Sequence, residues 1–285
     1  MDTDRVAGAV AAVTSVATAL DLAVREVSII QNSNKLALRL LPCDVFARVA
    51  PLGQEVAALE VELAQRLVAS GSPVAALAAR VEPRVYRCDG FAITLWTYYE
   101  TRSPAPLVAA DFAHALQRLH AGMRNIDVAT PHFTDRVQEA ERLVANRHRT
   151  PALDTAGREL LIATLNSTRQ KIERGAAAEQ LLHGEPHPGN VLNTTHGPLF
   201  IDLETCCRGP VEFDVAHVPG DVSAHYRDVD QDLLNECRRL VLAMVAVWRW
   251  DAHDQFPDGL RHGRAVLGLL RSGPPWPVLG ELGST

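Results

Sequence analysis

A short polar stretch, HGEPHPGN at residues 183–190, decides how the rest of this sequence is interpreted. Apolar residues lie on both sides of it, and its prolines and glycines make a regular helix improbable. A second stretch, IDLE at residues 201–204, ends an apolar strand on two carboxylates. Two loops of this kind, each between short strands, would bring Glu185, Asn190 and Asp202 together.

These three side chains suit phosphoryl transfer. An asparagine oxygen and an aspartate carboxylate are hard ligands for Mg²⁺, so we predict that Asn190 and Asp202 bind the metal, with Glu204 as a further ligand. A separate carboxylate, Glu185, can orient an attacking hydroxyl and accept its proton. Few residues suffice, because this catalysis rests mainly on positioning and charge neutralisation.

Three stretches, in matching order and spacing, resemble the motifs of a known family. Residues 183–190 resemble the H-G-D-x-x-x-x-N catalytic loop of the aminoglycoside phosphotransferase/choline kinase family. Residues 201–204 resemble its I-D-x-[DE] metal-binding strand, and GPVEFDVA at 209–216 resembles its G-[DP]-x-x-x-D-[LV]-A segment. The resemblance implies a kinase that uses Mg²⁺ and ATP or GTP, a small-molecule hydroxyl acceptor, and a structural role for Asp214.

The two histidines of the loop allow a different chemistry. His183 and His187 stand four residues apart, which on a helix could bind zinc, but no H-E-x-x-H pattern is present. The resemblance instead implies that His183 is a scaffold residue bonded to the backbone, and we expect His187 to line the site. A metal-dependent hydrolase that uses both histidines with Glu185 and Asp202 stays open as an alternative.

The pattern along the chain predicts an α+β fold with strands first and helices later. Before residue 100 it predicts helices over 2–20 and 54–70 and strands over 27–30, 36–40, 45–49, 84–88 and 91–98. Beyond a proline-containing break at 103–106, it predicts helices over 107–120, 134–145, 158–174 and 232–250. We therefore expect a small antiparallel-sheet lobe with a leading helix over 1–100. A larger, mostly helical lobe over 101–285 would hold the catalytic loop and the acceptor pocket, and the resemblance makes this a two-lobed protein-kinase-like fold.

The resemblance also implies nucleotide-binding residues in the first lobe. In the family, a basic residue of the third strand contacts the phosphates and pairs with a glutamate of the following helix. Arg48 occupies the strand position, and Glu60 matches the helix position, with Glu55 and Glu62 as rivals. The base would be bound by the backbone of a hinge segment that contains Trp96, Thr97 and Tyr98.

Two departures from the family pattern bear on activity. Glu185 replaces the catalytic aspartate, and its carboxylate can reach about 1 Å further. A misplacement of that size can cost about 100-fold in rate, so a nucleotide-binding pseudokinase with little turnover is the second hypothesis. In addition, Arg48 replaces the phosphate-binding lysine; arginine stays charged and binds phosphate bidentately, so binding should survive.

The chain contains only two lysines, which sharpens the role of Arg48. Lys35 precedes the second predicted strand and Lys171 lies on a late helix, so we expect neither to replace the missing lysine. We therefore predict that Arg48→Ala weakens nucleotide binding more than any change at Lys35 or Lys171.

Composition excludes several other classes. The 285 residues carry a net charge of −6, which argues against a nucleic-acid partner. Neither a G-x-x-x-x-G-K-[ST] motif nor a G-x-G-x-x-G after a strand is present, which excludes P-loop kinases and Rossmann dehydrogenases. Apolar runs stay below about 18 residues, so we expect no membrane partner. Five scattered cysteines fit a reducing compartment, and we expect a cytoplasmic protein.

Overall fold

The computed structural model describes residues 1–33, 35–53, 56–102, 107–176 and 178–277. Its strands are β1 (Val24–Asn32), β2 (Leu36–Pro42), β3 (Val45–Pro51), β4 (Tyr86–Cys88), β5 (Phe91–Thr97), β6 (Gln180–Leu182), β7 (Val191–Thr194), β8 (Gly197–Phe200) and β9 (Cys207–Gly209). Its helices are α1 (Thr3–Ala19), α2 (Val56–Ala69), α3 (Ala109–Met123), α4 (Phe133–Ala145), α5 (Thr155–Gly175), α6 (Val211–Val215), α7 (Gly220–His225), α8 (Gln231–Arg249) and α9 (Gly259–Ser272). As the sequence predicts, the strands β1–β5 lie in the first hundred residues and most of the helices follow them.

The chain divides into two compact units. The first unit runs to residue 106 and includes residues 192–204; the second contains residues 107–191 and the chain from residue 205 onward. The sequence predicts a single boundary near residue 100, whereas residues 192–204, which contain most of the β7–β8 hairpin, belong to the first unit. The reason is backbone pairing: Phe200 N–H donates to Pro73 O at 2.8 Å, and Ala75 N–H donates to Phe200 O at 2.9 Å.

The first unit is built on an antiparallel sheet with the strand order β1-β2-β3-β5-β4. Buried side chains alternate along β2 at Leu36, Leu38 and Leu40, the pattern of a strand with one face on a core. The turn between β4 and β5 is Asp89-Gly90, both with positive φ, as the Asp-Gly pair predicts. Helix α2 begins at Val56; the predicted helix start at residues 54–55 lies outside the described residues.

The strand predicted over residues 199–204 is shorter than expected. Strand β8 ends at Phe200, and a 3-10 turn follows at Leu203–Thr205. Between them Asp202 takes a left-handed conformation with φ of 65°. Aspartate tolerates this region better than most residues. Because a left-handed residue interrupts an extended backbone, the strand does not continue through the apolar residues on either side of Asp202.

The second unit is mostly helical, and α8 packs against both α5 and α9. Helix α9 is not among the predicted elements. Its three glycines, at positions 259, 263 and 268, lower its intrinsic helix propensity. Burial of Val266, Leu267 and Leu270 compensates for this, which shows that tertiary packing rather than local propensity forms the helix.

Candidate active site

Arg48 joins three elements of the first unit. It lies in β3, paired with Ala37 of β2 and Thr94 of β5. Its guanidinium contacts the carboxylate of Glu60 on α2, and its Nη2 donates to Oδ1 of Asp202 at 2.8 Å. One arginine therefore links the sheet, the helix and the turn after β8.

Glu60 is the buried partner of this arrangement. Its side chain is only 2% exposed, and its Oε1 also accepts a hydrogen bond from Leu203 N–H at 3.2 Å. Burial raises the pKa of Glu60, and the positive charge of Arg48 opposes that rise. Of the predicted rivals, Glu62 pairs with Arg66 at 2.7 Å on the surface, and Glu55 lies outside the described residues.

Arg48 keeps its charge in this setting. Burial alone would lower its pKa, but the carboxylates of Glu60 and Asp202 raise it overall. A guanidinium shared between two carboxylates is held in one orientation by its planar fork of donors. The site therefore contains a fixed, permanent cation at the position that the family motif assigns to phosphate binding.

Lys35 belongs to the same charge cluster as Arg48. From its position before β2 alone, we expect it not to replace the phosphate-binding lysine of the family. Its ammonium contacts the carboxylate of Glu204, the second acidic residue of the IDLE stretch. Lys35 also lines a cavity of about 10 Å³ together with Arg48 and Glu60. Folding thus places one of the two lysines of the chain next to the arginine that replaces the family lysine.

The predicted hinge segment has several of its donors engaged. Thr97 N–H donates to Ala76 O at 2.9 Å, and Tyr98 N–H donates to Asp44 O at 3.2 Å. The indole Nε1 of Trp96 donates to Thr94 Oγ1 at 2.8 Å. The role of Trp96, Thr97 and Tyr98 in binding the base stays a prediction.

Asp214 of α6 holds the start of the catalytic loop in the second unit. Its side chain is fully buried and accepts hydrogen bonds from His183 N–H and Gly184 N–H, each at 2.8 Å. The ring of His120 on α3 lies 2.9 Å from its Oδ2. Burial would raise the pKa of Asp214, but the hydrogen bond from His120 and the neighbouring histidines lower it overall. The loop therefore begins on a buried, charged anchor.

Gly184 is required at the first turn of this loop. Its φ is +88°, in the region that favours glycine. A Cβ at this position would collide with the backbone oxygen of Thr205. Thr205 Oγ1 in turn donates to His183 O at 3.1 Å, so the two chain segments are closely joined here.

The rest of the loop is held by its own hydrogen bonds. Glu185 O accepts from His187 N–H at 2.9 Å and from Asn190 Nδ2 at 3.0 Å. Nδ1 of His183 accepts from Glu185 N–H at 3.4 Å, and Nδ1 of His187 accepts from Gly189 N–H at 3.1 Å. Both histidines thus bond to the loop backbone through Nδ1. In Asn190, Oδ1 is the atom that could bind a metal ion.

The carboxylate of Glu185 is held by an arginine that the sequence did not reveal. Arg136 on α4 contacts Glu185, and its guanidinium lies over the ring of Trp248 at 5.2 Å. Burial would raise the pKa of Glu185, but the positive charge of Arg136 and its hydrogen bond lower it overall. Glu185 is therefore an ionised, oriented carboxylate. The two partners lie 49 residues apart, so no local pattern could have paired them.

His217 is a second neighbour that the sequence did not reveal. It is buried, and burial lowers its pKa to about 4. Its Nδ1 lies 2.8 Å from Phe213 O, which fixes the tautomer with a proton on Nδ1. At neutral pH His217 is therefore an uncharged part of the wall near Glu185.

The predicted metal ligands are Asn190, Asp202 and Glu204. The described ranges contain no group of three or more His, Cys, Asp or Glu side chains that could hold a metal ion. Asp202 and Glu204 belong to the first unit and Asn190 to the second. Their oxygen atoms are the ligand type that Mg²⁺ prefers, and their joint role as metal ligands stays a prediction.

Comparison with known proteins identifies the family. The model of the phosphotransferase enzyme family matches residues 33–253. The chain belongs to this family. The resemblance inferred from the three motifs and the predicted enzyme class, a phosphotransferase, are thereby confirmed. No curated protein matches the chain.

Solved structures of the same fold cover most of the chain. The amicoumacin kinase hAmiN, in complex with AMP-PNP, Ca²⁺ and Ami, is 12% identical with a TM-score of 0.68, over 88% of this chain and 89% of that one. The phosphotransferase APH(2″)-IIIa, with GDP and kanamycin, is 17% identical with a TM-score of 0.67, over 91% and 98%. Choline kinase LicA from Streptococcus pneumoniae is 15% identical with a TM-score of 0.64, over 91% and 99%. These matches confirm the predicted protein-kinase-like fold. Among the described helices, none is long and apolar enough to cross a membrane.

Proposed function

We propose that this phosphotransferase transfers the terminal phosphoryl group of ATP or GTP, bound with Mg²⁺, to a hydroxyl group of a small molecule. The observation that carries the proposal is the guanidinium of Arg48 shared between Glu60 and Asp202 in a chain of this family. Structures of similar fold support it, since one contains AMP-PNP and another contains GDP with kanamycin.

The first unit supplies the nucleotide-binding groups. Arg48 binds phosphate oxygens through its planar fork, and Glu60 keeps that fork oriented. Asp202 and Glu204, with Asn190, would hold the metal ion, because carboxylate and amide oxygens suit Mg²⁺. When bound, Mg²⁺ supplies neutralisation of the phosphate charge.

The second unit supplies the group that handles the acceptor. The acceptor oxygen forms a bond to the terminal phosphorus while the bond from that phosphorus to the bridging oxygen breaks and the nucleoside diphosphate leaves. The hydroxyl proton passes to the carboxylate of Glu185. Arg136 fixes that carboxylate, which offsets the extra freedom of a glutamate side chain.

The second candidate function is a nucleotide-binding pseudokinase. It is favoured by the Arg136–Glu185 ion pair, because the lowered pKa of Glu185 makes it a weak base. Phosphoryl transfer does not need a strongly basic carboxylate, since charge on the nucleophile develops late in a loose transition state. The ion pair is therefore compatible with turnover, and we place the kinase first.

Calorimetry of the purified protein with ATP and with GTP, each with Mg²⁺, measures nucleotide binding, on which both candidate functions depend. Binding of neither nucleotide would overturn both candidates. A nucleotide-consumption screen over aminoglycosides, other antibiotics, amino alcohols and sugars then seeks the acceptor.

Glu185→Gln separates the two candidates. We expect it to slow nucleotide consumption about 100-fold while nucleotide still binds, because Glu185 also orients the acceptor hydroxyl and a misplaced reactant can cost a factor of this order. Equal consumption by the variant and the wild type, with nucleotide bound in both, would favour the pseudokinase.

A further inference from the structure

Two cations and three carboxylates of the first unit form three ion pairs near one another. Arg48 lies between Glu60 and Asp202, and the ammonium of Lys35 contacts Glu204. Both acidic residues of the IDLE stretch, which are the predicted metal ligands, thus have a basic partner from the sheet side of the same unit.

Lys35 lies in an environment that lysine usually avoids. Its side chain is 17% exposed, whereas lysine is seldom buried unless it is paired. Burial removes water from its charged ammonium. Desolvation of this kind offsets much of the attraction in an ion pair, so stability alone is a weak reason for the arrangement.

The space beside Lys35 is shared with Arg48. Both line the cavity of about 10 Å³, which is roomy enough for about one water molecule. Small alanine side chains form much of the remaining wall. The two cations therefore border the same small gap.

We propose that Lys35 is a second phosphate-binding cation of the nucleotide site, acting beside Arg48, and that nucleotide phosphate replaces Glu204 as its partner. The inference rests on the proposed function. The reason is charge balance. A carboxylate that binds a divalent metal attracts a neighbouring cation less, so the attraction between Glu204 and Lys35 would weaken. The phosphate oxygens of a metal–nucleotide complex are then the anions available to Lys35. Lys35 thereby supplies the compact ammonium that Arg48 lacks.

The test compares nucleotide with nucleoside binding by calorimetry. The full chain is titrated with ATP and with adenosine in the presence of Mg²⁺, or with GTP and guanosine if GTP is the nucleotide bound. The variants are Lys35→Met, Lys35→Arg and the control Lys171→Met, whose wild-type ammonium pairs with Glu236 in the second unit at 2.5 Å. Far-UV circular dichroism checks that each variant is folded.

We expect Lys35→Met to weaken nucleotide binding about 10-fold to 100-fold, the range of a lost charged hydrogen bond. Nucleoside binding should stay within about twofold, because a nucleoside has no phosphate. Lys35→Arg should restore most of the loss, and Lys171→Met should bind as the wild type does.

Three results overturn the inference in distinguishable ways. Wild-type protein that binds no nucleotide would remove the proposed function and the inference with it. Wild-type binding with an unchanged affinity in Lys35→Met would remove the inference alone and leave Lys35 as a structural partner of Glu204. Equal loss of nucleotide and nucleoside binding would also contradict it, because the effect would then not pass through phosphate.

Discussion

Asp214 shows how much of a site can depend on one carboxylate. It accepts three hydrogen bonds in a fully buried position, two of them from the loop backbone. In Asp214→Asn, the NH₂ group of the new amide is itself a hydrogen-bond donor, and it would face a donor where a carboxylate oxygen accepts a hydrogen bond in the wild type. We expect a loss of about 3 kcal/mol in the free energy of unfolding, measured with urea at pH 7. Glu139→Gln, an exposed change on α4, is the control and should stay within about 0.5 kcal/mol.

His217 should make stability depend on pH. Its pKa of about 4 in the folded chain lies below its ordinary value of 6.5, so the unfolded chain takes up a proton first as the pH falls. The stability contribution is present above pH 6.5 and is lost progressively toward pH 4. From pH 7 to pH 5 this single group should remove about 2 kcal/mol.

The contribution of His217 is isolated by replacement. Urea unfolding of His217→Gln between pH 7 and pH 5 should show a fall in stability that is smaller than the wild-type fall by about 2 kcal/mol. His253→Gln, at an exposed position, should keep the wild-type pH dependence. A His217→Gln profile parallel to the wild type would contradict the assignment.

The residues found from sequence and the residues missed differ in one physical respect. Arg48, Glu60 and Asp214 occupy positions that spacing within a motif or an element defines. The contacts of Arg136 with Glu185, and of Lys35 with Glu204, join parts of the chain 49 and 169 positions apart. No periodicity connects such pairs, so they become visible only in the folded chain.

At the scale of elements, the loop after β6 depends on a glycine that no other residue can replace. Gly184→Ala introduces both a strained φ and a collision with the backbone of Thr205. Gly197→Ala is a matched control, because Gly197 also has a positive φ, of 104°, but nothing lies within 4 Å of its added Cβ. We expect Gly197→Ala to cost about 1–2 kcal/mol from strain alone.

Gly184→Ala should cost clearly more, about 3 kcal/mol or above, because the backbone of Thr205 must also move. Urea unfolding of the two variants beside the wild type measures the difference. Equal losses would show that the chain around Thr205 yields easily and that the loop tolerates a side chain at residue 184.

Elements also show where sequence patterns reach their limit. The three antiparallel pairings of consecutive strands before residue 100, β1–β2, β2–β3 and β4–β5, follow from alternation and turn residues, which are local signals. The position where β8 ends and the existence of α9 do not follow from local signals. A left-handed Asp202 ends an apolar run that looks like a continuing strand, and packing on α8 forms a helix that its glycines disfavour. The backbone conformation of one residue decides the first case, and in the second a tertiary contact outweighs the local preference.

At the scale of the whole molecule, nucleotide binding should appear as stability. A ligand that binds only the folded chain raises the free energy of unfolding by about 2.7 kcal/mol at 100 times its Kd. We therefore expect the thermal midpoint of the wild type to rise with the concentration of nucleotide and Mg²⁺. The rise should be lost in a variant that folds but cannot hold phosphate.

Arg48→Gln is that variant, because a glutamine can still hydrogen-bond Glu60 and Asp202 but has no positive charge to hold phosphate. Its midpoint should respond to nucleotide much less than that of the wild type. Arg66→Gln is the matched control, since Arg66 forms an exposed ion pair with Glu62 in the same unit and should leave the response unchanged. Thermal unfolding with and without nucleotide measures both. If Arg48→Gln responded as fully as Arg66→Gln, the arginine would be structural, and phosphate binding would have to be sought at Lys35 instead.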